Sequence, residues 1–281
     1  AQYGATTGFI ANAVTRAGGD SFHGSVFSFV QNSALNANDF QRNRMGWGRP
    51  SGRMAEFGFQ VGGPVLKRRP LFFSTLYDRV GTRTEKSPIA YRLPTAAFLS
   101  SLPSGSVAHR LLTAHPSPAS AVPGADLTAN LSLAAPVTIR RHTALERVDY
   151  GTLDGRHRLS LRVALGRVSQ PDFVWSPYAG LNSEMRDTTV STMLSHSFNI
   201  TPRLVNEARA GFALANLRWE RMDTSVPNLN SGAAYLPGSP ALYDYKNATK
   251  SWQFIDNLTW TKGRHILTAG GSYLQRDLNG Y

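Results

Sequence analysis

Residues Arg158–Leu165 read RLSLRVAL. Leu159, Leu161, Val163 and Leu165 fall on one side of an extended chain, and Arg158, Ser160, Arg162 and Ala164 fall on the other. Strict alternation over eight residues marks a strand with two unlike faces, because successive side chains point to opposite sides of a sheet. Here one face is wholly aliphatic and the other carries two charges. Glu207–Leu214 repeats the pattern: Ala208, Ala210, Phe212 and Leu214 oppose Glu207, Arg209, Gly211 and Ala213.

Working outward, the same period appears in Phe22–Asn32, Phe57–Leu66, Leu71–Thr82, Ala144–Gly151, Thr188–Phe198, Trp252–Trp260 and His265–Arg276. In Trp252–Trp260 it is imperfect, since Asp256 shares the face of Phe254 and Leu258. Helical periodicity is confined to Thr95–Leu102 and a turn near Val107–Thr113.

The connections carry more information than the strands. Four are tight and contain turn residues: Lys67–Pro70, Leu153–Arg156, Asn199–Arg203 and Thr261–Arg264. The other four, near 33–55, 83–143, 168–186 and 220–251, run to roughly 20–60 residues, far above the usual 4–6. Short and long alternate throughout. In an up-and-down meander every second connection lies at the same end, so tight turns gather at one end and long loops at the other.

Transmembrane β-barrels have this asymmetry, and strands of about 9–11 residues suffice to cross a bilayer. A soluble sandwich also alternates, but its loops are not sorted by end. Aromatic residues agree with the barrel. Tyr150, Phe198 and Trp260 precede tight turns, Phe72 and Phe73 follow one, and Trp219 and Trp252 flank a long loop, as in an interfacial girdle. Gly155-Arg156-His157-Arg158-Leu159 is echoed by Gly263-Arg264-His265-Ile266-Leu267, which suggests equivalent hairpins. The expected fold is therefore all-β: an antiparallel up-and-down meander forming part of a transmembrane β-barrel, with long loops on one end.

Composition fits. Of 281 residues, 41% are apolar and only 17% charged, and no apolar run is long enough for a membrane helix. Cys is absent, which excludes disulfides, thiolate metal sites and Cys nucleophiles. The opening AQYGATTGFI has neither the basic-then-apolar order of a signal peptide nor an initiator Met, so a mature or internal piece is expected. Net charge is +12, yet the Lys and Arg residues are scattered rather than run together. Nucleic acid is not expected as a partner, and an anionic lipid surface accounts for scattered Arg equally well.

The first hundred residues bear a family resemblance. Gly8–Ser25, GFIANAVTRAGGDSFHGS, is similar to the junction in TonB-dependent receptors where a last plug strand runs into F-H-G-S and the first barrel strand. Ala1-Gln2-Tyr3-Gly4 resembles the A-E-Y-G ahead of it. Asn32, Leu35, Asn36, Ala37 and Phe40 follow R-N-x-x-L-D-A-x-x-F, with Asn36 where Asp is usual. Phe57-Gly58 with Gly62-Gly63-Pro64, then Leu71-Phe72-Phe73, match F-G-x-x-x-G-G-P and L-F-F, and Leu93-Pro94-Thr95 resembles V-P-T. Arg147-Val148-Asp149-Tyr150 and Leu204–Arg209 match R-I-D-H and L-V-N-E-x-R more loosely. These motifs resemble the Oar-like branch, which often carries a carboxypeptidase-regulatory-like domain before the plug.

The resemblance implies that residues 1–21 end a plug and 22–281 begin a barrel of about 22 strands. It also implies energy-coupled uptake of a large scarce ligand such as a siderophore or oligosaccharide, with outer-membrane lipid and, through a part absent here, the TonB complex as partners. Arg158, Ser160, Arg162, Glu207 and Arg209 would then face the lumen, since an Arg facing lipid at midplane costs about 2–4 kcal/mol. Trp47, Trp175, Tyr178 and Tyr235 lie in long loops, where a ring offers either stacking area to a ligand or material for loop packing. The seven His lack H-x-x-x-H or H-E-x-x-H spacing, and no G-x-S-x-G is present. No enzyme activity, cofactor or metal is expected. A passive pore or adhesin on the same barrel, and a secreted soluble β-sandwich that binds glycans, stand as alternatives.

Overall fold

The computed structural model describes residues 14–66, 69–85, 87–124, 126–171, 175–221, 223–227, 229, 231–238 and 245–280. In chain order the strands are β1 (His23–Asn32), β2 (Gly52–Pro64), β3 (Leu71–Glu85), β4 (Ile89–Pro94), β5 (Val122–Pro123), β6 (Thr128–Leu133), β7 (Pro136–Gly151), β8 (His157–Pro171), β9 (Ser183–Thr201), β10 (Leu204–Arg221), β11 (Tyr245–Lys262) and β12 (His265–Gly280). Three short helices, α1 (Phe40–Arg44), α2 (Ala96–Ser101) and α3 (Val107–Ala114), lie in the loops.

Nine strands form one antiparallel sheet in the order β1-β2-β3-β7-β8-β9-β10-β11-β12. All nine are those read from alternation. All but β1 are longer than that reading, at up to 19 residues in β9, because ladder hydrogen bonds continue past the apolar stretch wherever a partner backbone is present. The loops shrink accordingly: β3 runs to Glu85 and β9 begins at Ser183. Trp252, expected at a loop edge, instead lies within β11 against Phe212, ring centroids 4.6 Å apart. Among the described residues the sheet does not close, and β1 and β12 are its two edges.

Register sorts the side chains into two faces. Phe73, Val148, Leu161, Leu194, Ala210, Phe254 and Tyr273 occupy one continuous row across seven strands. The opposite face carries Gln60 and Ser74, and at β2 and β3 burial is inverted relative to a water-soluble sheet. Leu161 is 41% and Phe57 49% exposed, whereas Gln60 is 8% and Ser74 4% exposed. The apolar side, here termed the convex face, is thus open, and the polar side is sheltered at β2 and β3. No second layer covers the aliphatic face among the described residues. The convex face has polar exceptions: Glu146 accepts from Thr75 Oγ1 (2.7 Å), and Asp256 from Asn206 Nδ2 (2.7 Å).

Two of the tight turns use positive φ. Gly155 (φ +69°) and Gly263 (φ +59°) supply it, and His157 and His265 each open the strand that follows. Neighbouring hairpins are stitched laterally: Gly151 N donates to Pro70 O, Asn199 N to Arg156 O and Thr261 N to Arg203 O, each at 2.8 Å. Lys67 and Arg68 of the first turn lie outside the described residues.

At the other end, β4, β6 and β5 pair as a small sheet with a core of their own. Tyr91, Leu93 and Leu131 pack there with Tyr178, Leu181 and Val226, so three long loops form one body. Helices α2 and α3 match the two helical stretches read from sequence, capped by Thr95 Oγ1 and Ser106 Oγ at 3.1 Å.

An L-residue at the left-handed Gly155 costs about 1–2 kcal/mol. Gly155→Ala should lower the unfolding free energy of the detergent-solubilised protein by about 1 kcal/mol in a urea titration. Gly48→Ala, at ordinary φ and with open space around its Cβ, should leave it unchanged.

Candidate functional site

The sheltered face gathers charge near the tight-turn end. Arg158 and Ser160 on β8 and Glu207 and Arg209 on β10 line one concavity of about 460 Å³. β9 lies between them and contributes Ser195 and Ser197: Ser197 stands opposite both Arg158 and Glu207, and Ser195 opposite Ser160 and Arg209. Arg162 lies on the same face, opposite Arg147 and Met193, beyond the rim of the cavity. Arg209 approaches Glu207 at 3.7 Å. Arg158 and Arg162 have no acidic partner among the described residues.

Two lining residues were not singled out from sequence. Arg147 Nε donates to both carboxylate oxygens of Asp149 at 3.0 and 2.8 Å. Its Nη1 donates to Thr15 O (2.6 Å) and Thr15 Oγ1 (3.1 Å), across 132 residues of chain. Arg16 Nη1 in turn donates to Gln60 Oε1 (3.2 Å), and a Cβ at Gly18 would strike Phe73 O and Phe72 Cβ. The segment before β1 is therefore pinned to the polar face. Register puts Arg147 and Asp149 on the face of Arg158, and nothing local in the sequence announces a partner so distant. Residues 1–13, which carry most of the plug-like motif, lie outside the described residues.

Sequence reasoning also missed a histidine pair. His157 Nδ1 lies 3.1 Å from His196 Nε2, and the rings stack with Phe198 beside them. No group of three or more potential metal ligands occurs among the described residues.

The loop aromatics divide. Tyr178 is 1% exposed, and its hydroxyl donates to Tyr235 O (2.8 Å). Tyr235 is half-buried against Tyr91, centroids 5.1 Å apart, and Trp175 O accepts from the hydroxyls of Tyr91 and Tyr235. Tyr91, Tyr178 and Tyr235 belong to the loop core, so the packing reading suits Tyr178 and Tyr235. Trp47 is 57% exposed beside Arg42, and of the four it presents an open ring. Burial pushes the Tyr178 phenol up to about 12 and raises Tyr235 as well.

Against the comparisons, a model of the outer membrane beta barrel domain matches residues 14–105 and 100–281. The chain belongs to the outer membrane beta barrel domain family. That membership agrees with the inverted burial of the sheet, places the protein in the outer membrane and gives the convex apolar face lipid as its surroundings. The chain is also 35% identical over 77 residues to the TonB-dependent transporter Oar of Myxococcus xanthus. The match covers 26% of this chain and 7% of that protein, so the chain spans a small part of its relative. No solved structure matches it.

Charge-assisted hydrogen bonds contribute about 1.5–3 kcal/mol. Arg147→Ala should therefore raise amide exchange of residues 14–18 at least tenfold while exchange in β7 and β8 stays slow. Because the folded pKa of Tyr178 lies above the unfolded value of about 10, its stabilisation is complete below pH 10 and is lost as pH rises toward 12. Alkaline titration followed by phenolate absorbance should show late-ionising tyrosines, one fewer in Tyr178→Phe.

Proposed function

We propose that this chain is the end of the plug and the first part of the barrel of a TonB-dependent receptor, non-enzymatic, taking up a large scarce ligand by energy coupling. The observation that carries the reading is the pinning of Thr15 and Arg16 to the polar face by Arg147 and Gln60. A segment held against the sheltered side of a barrel wall is what a lumen occupied by the preceding part of the chain requires, and a passive pore has no use for it. The likeness to the Myxococcus xanthus transporter supports the same reading. Arg158, Ser160, Arg162, Glu207 and Arg209 then line the lumen, and Arg158 and Arg162, without an acidic partner among the described residues, offer a cationic wall to whatever the lumen holds.

The soluble sandwich is set aside by the family and by the uncovered aliphatic face. An open nine-stranded sheet leaves unsatisfied edges that lipid does not tolerate, so β1 and β12 need further strands of the same protein to pair with.

Single Cys residues at 161 and 162 of the full-length protein, labelled in membranes, test the faces. A lipid-side reagent should reach position 161 and spare 162, and the reverse would refute the assignment. Uptake should collapse when the proton gradient is discharged. Undiminished flux under that treatment would favour the passive pore.

A further inference from the structure

Above the apolar band the convex face changes character. Phe57, Phe59 and Tyr77 form an aromatic step, and on its loop side come Arg79, His142 and Arg167, directly paired across β3, β7 and β8. One row further out, Arg140 stands opposite Gly81. In the next row Arg53 stands opposite Arg83. From the His157–Phe198 row to the Arg167 row is ten residues on β8. At about 3.3 Å each and a tilt near 40°, that rises roughly 25 Å, the height of a barrel's apolar band. The cations thus begin where hydrocarbon ends.

Their partners are missing. Arg53, Arg79, Arg83 and Arg167 have no hydrogen bond or ion pair among the described residues, and all are exposed. His142 is bound to the Tyr77 hydroxyl (2.8 Å). Nearby acids are few: Glu85 at the end of β3, and Glu184, which reaches Arg140 electrostatically but pairs with Arg186 at 2.7 Å. On the sheltered face, by contrast, Arg141 and Arg147 each hold an Asp. Like charges at paired sheet positions repel, as at Arg53 opposite Arg83, and an anion from outside would relieve that repulsion. The space for one is present: a Cβ at Gly81 would meet nothing within 4 Å, and Arg79, Arg83 and Arg140 surround that notch in the register.

We propose that the Gly81 notch binds a phosphate of a phosphorylated glycolipid in the loop-side leaflet, with Arg79, Arg83 and Arg140 as its ligands and Arg53 and Arg167 extending the contact. The inference rests on the convex face meeting lipid, though not on transport. Fork-shaped guanidinium donors suit phosphate oxygens, and the flanking aromatics suit the ester region below.

The test uses the full-length protein in nonionic detergent, with retained lipid counted by native mass spectrometry. The probes are bis-phosphorylated lipid A, its dephosphorylated form and inorganic phosphate. Wild type should bind the phosphorylated lipid and neither other probe. Arg79→Gln/Arg83→Gln/Arg140→Gln should lose at least tenfold in affinity, and Arg203→Gln/Arg264→Gln, at the turn end, should bind as wild type. Gly81→Phe fills the notch without touching a charge and should lose severalfold, which decides the matter if the triple variant misfolds. Unchanged binding by the triple variant or by Gly81→Phe overturns the proposal, as does inorganic phosphate bound as tightly as the lipid. If position 161 labels from lipid and the variants still bind, this inference alone falls. If 161 does not label, the face assignment falls and takes the inference with it.

Discussion

A backbone that crosses hydrocarbon has no water to satisfy its amides, so every N–H and C=O in the band must find another strand. Most of the structure follows from that requirement. It forces the up-and-down meander, in which each strand pairs with its sequence neighbour in the main sheet and the insertion between β3 and β7, with its own strands β4, β5 and β6, stays outside the ladder. It leaves the side chains free to sort by face, apolar toward lipid and polar toward the sheltered side. The carboxylates that break the sorting, Glu146 and Asp256, each keep a hydrogen-bond donor from the neighbouring strand.

Much of this was legible because membrane strands write their two environments into alternate residues. RLSLRVAL carries its face assignment without help, whereas Arg147 and Asp149 join Arg158 only through the register between β7 and β8. Strand ends were less legible, since β9 continues through Ser183–Asp187 on hydrogen bonding alone, with no apolar rhythm to mark it. β4, β5 and β6 went unread because they are at most six residues long, hold Pro94 and Pro123, and gain their core only when distant loops arrive.

The candidate site divides along the same line. Parity groups Arg158, Ser160 and Arg162 on one side of their strand and Glu207 and Arg209 on one side of theirs, because facing is a local property. It could not find Thr15 under Arg147, or His157 against His196, because those contacts are created by register between segments far apart. Loop rings were the least legible of all. Tyr178 and Trp47 look alike in sequence, and only packing makes one a buried strut and the other an open surface.

The shared core of the three long loops has an evolutionary corollary. Loops that stand alone can be exchanged one at a time, as independent cassettes. Here Leu93, Tyr178 and Val226 come from three different connections and fill one another's gaps. Recombination that swaps a single connection would import a ring without its socket, so diversification at this end must proceed by exchanging the trio together or by varying the outer rim alone.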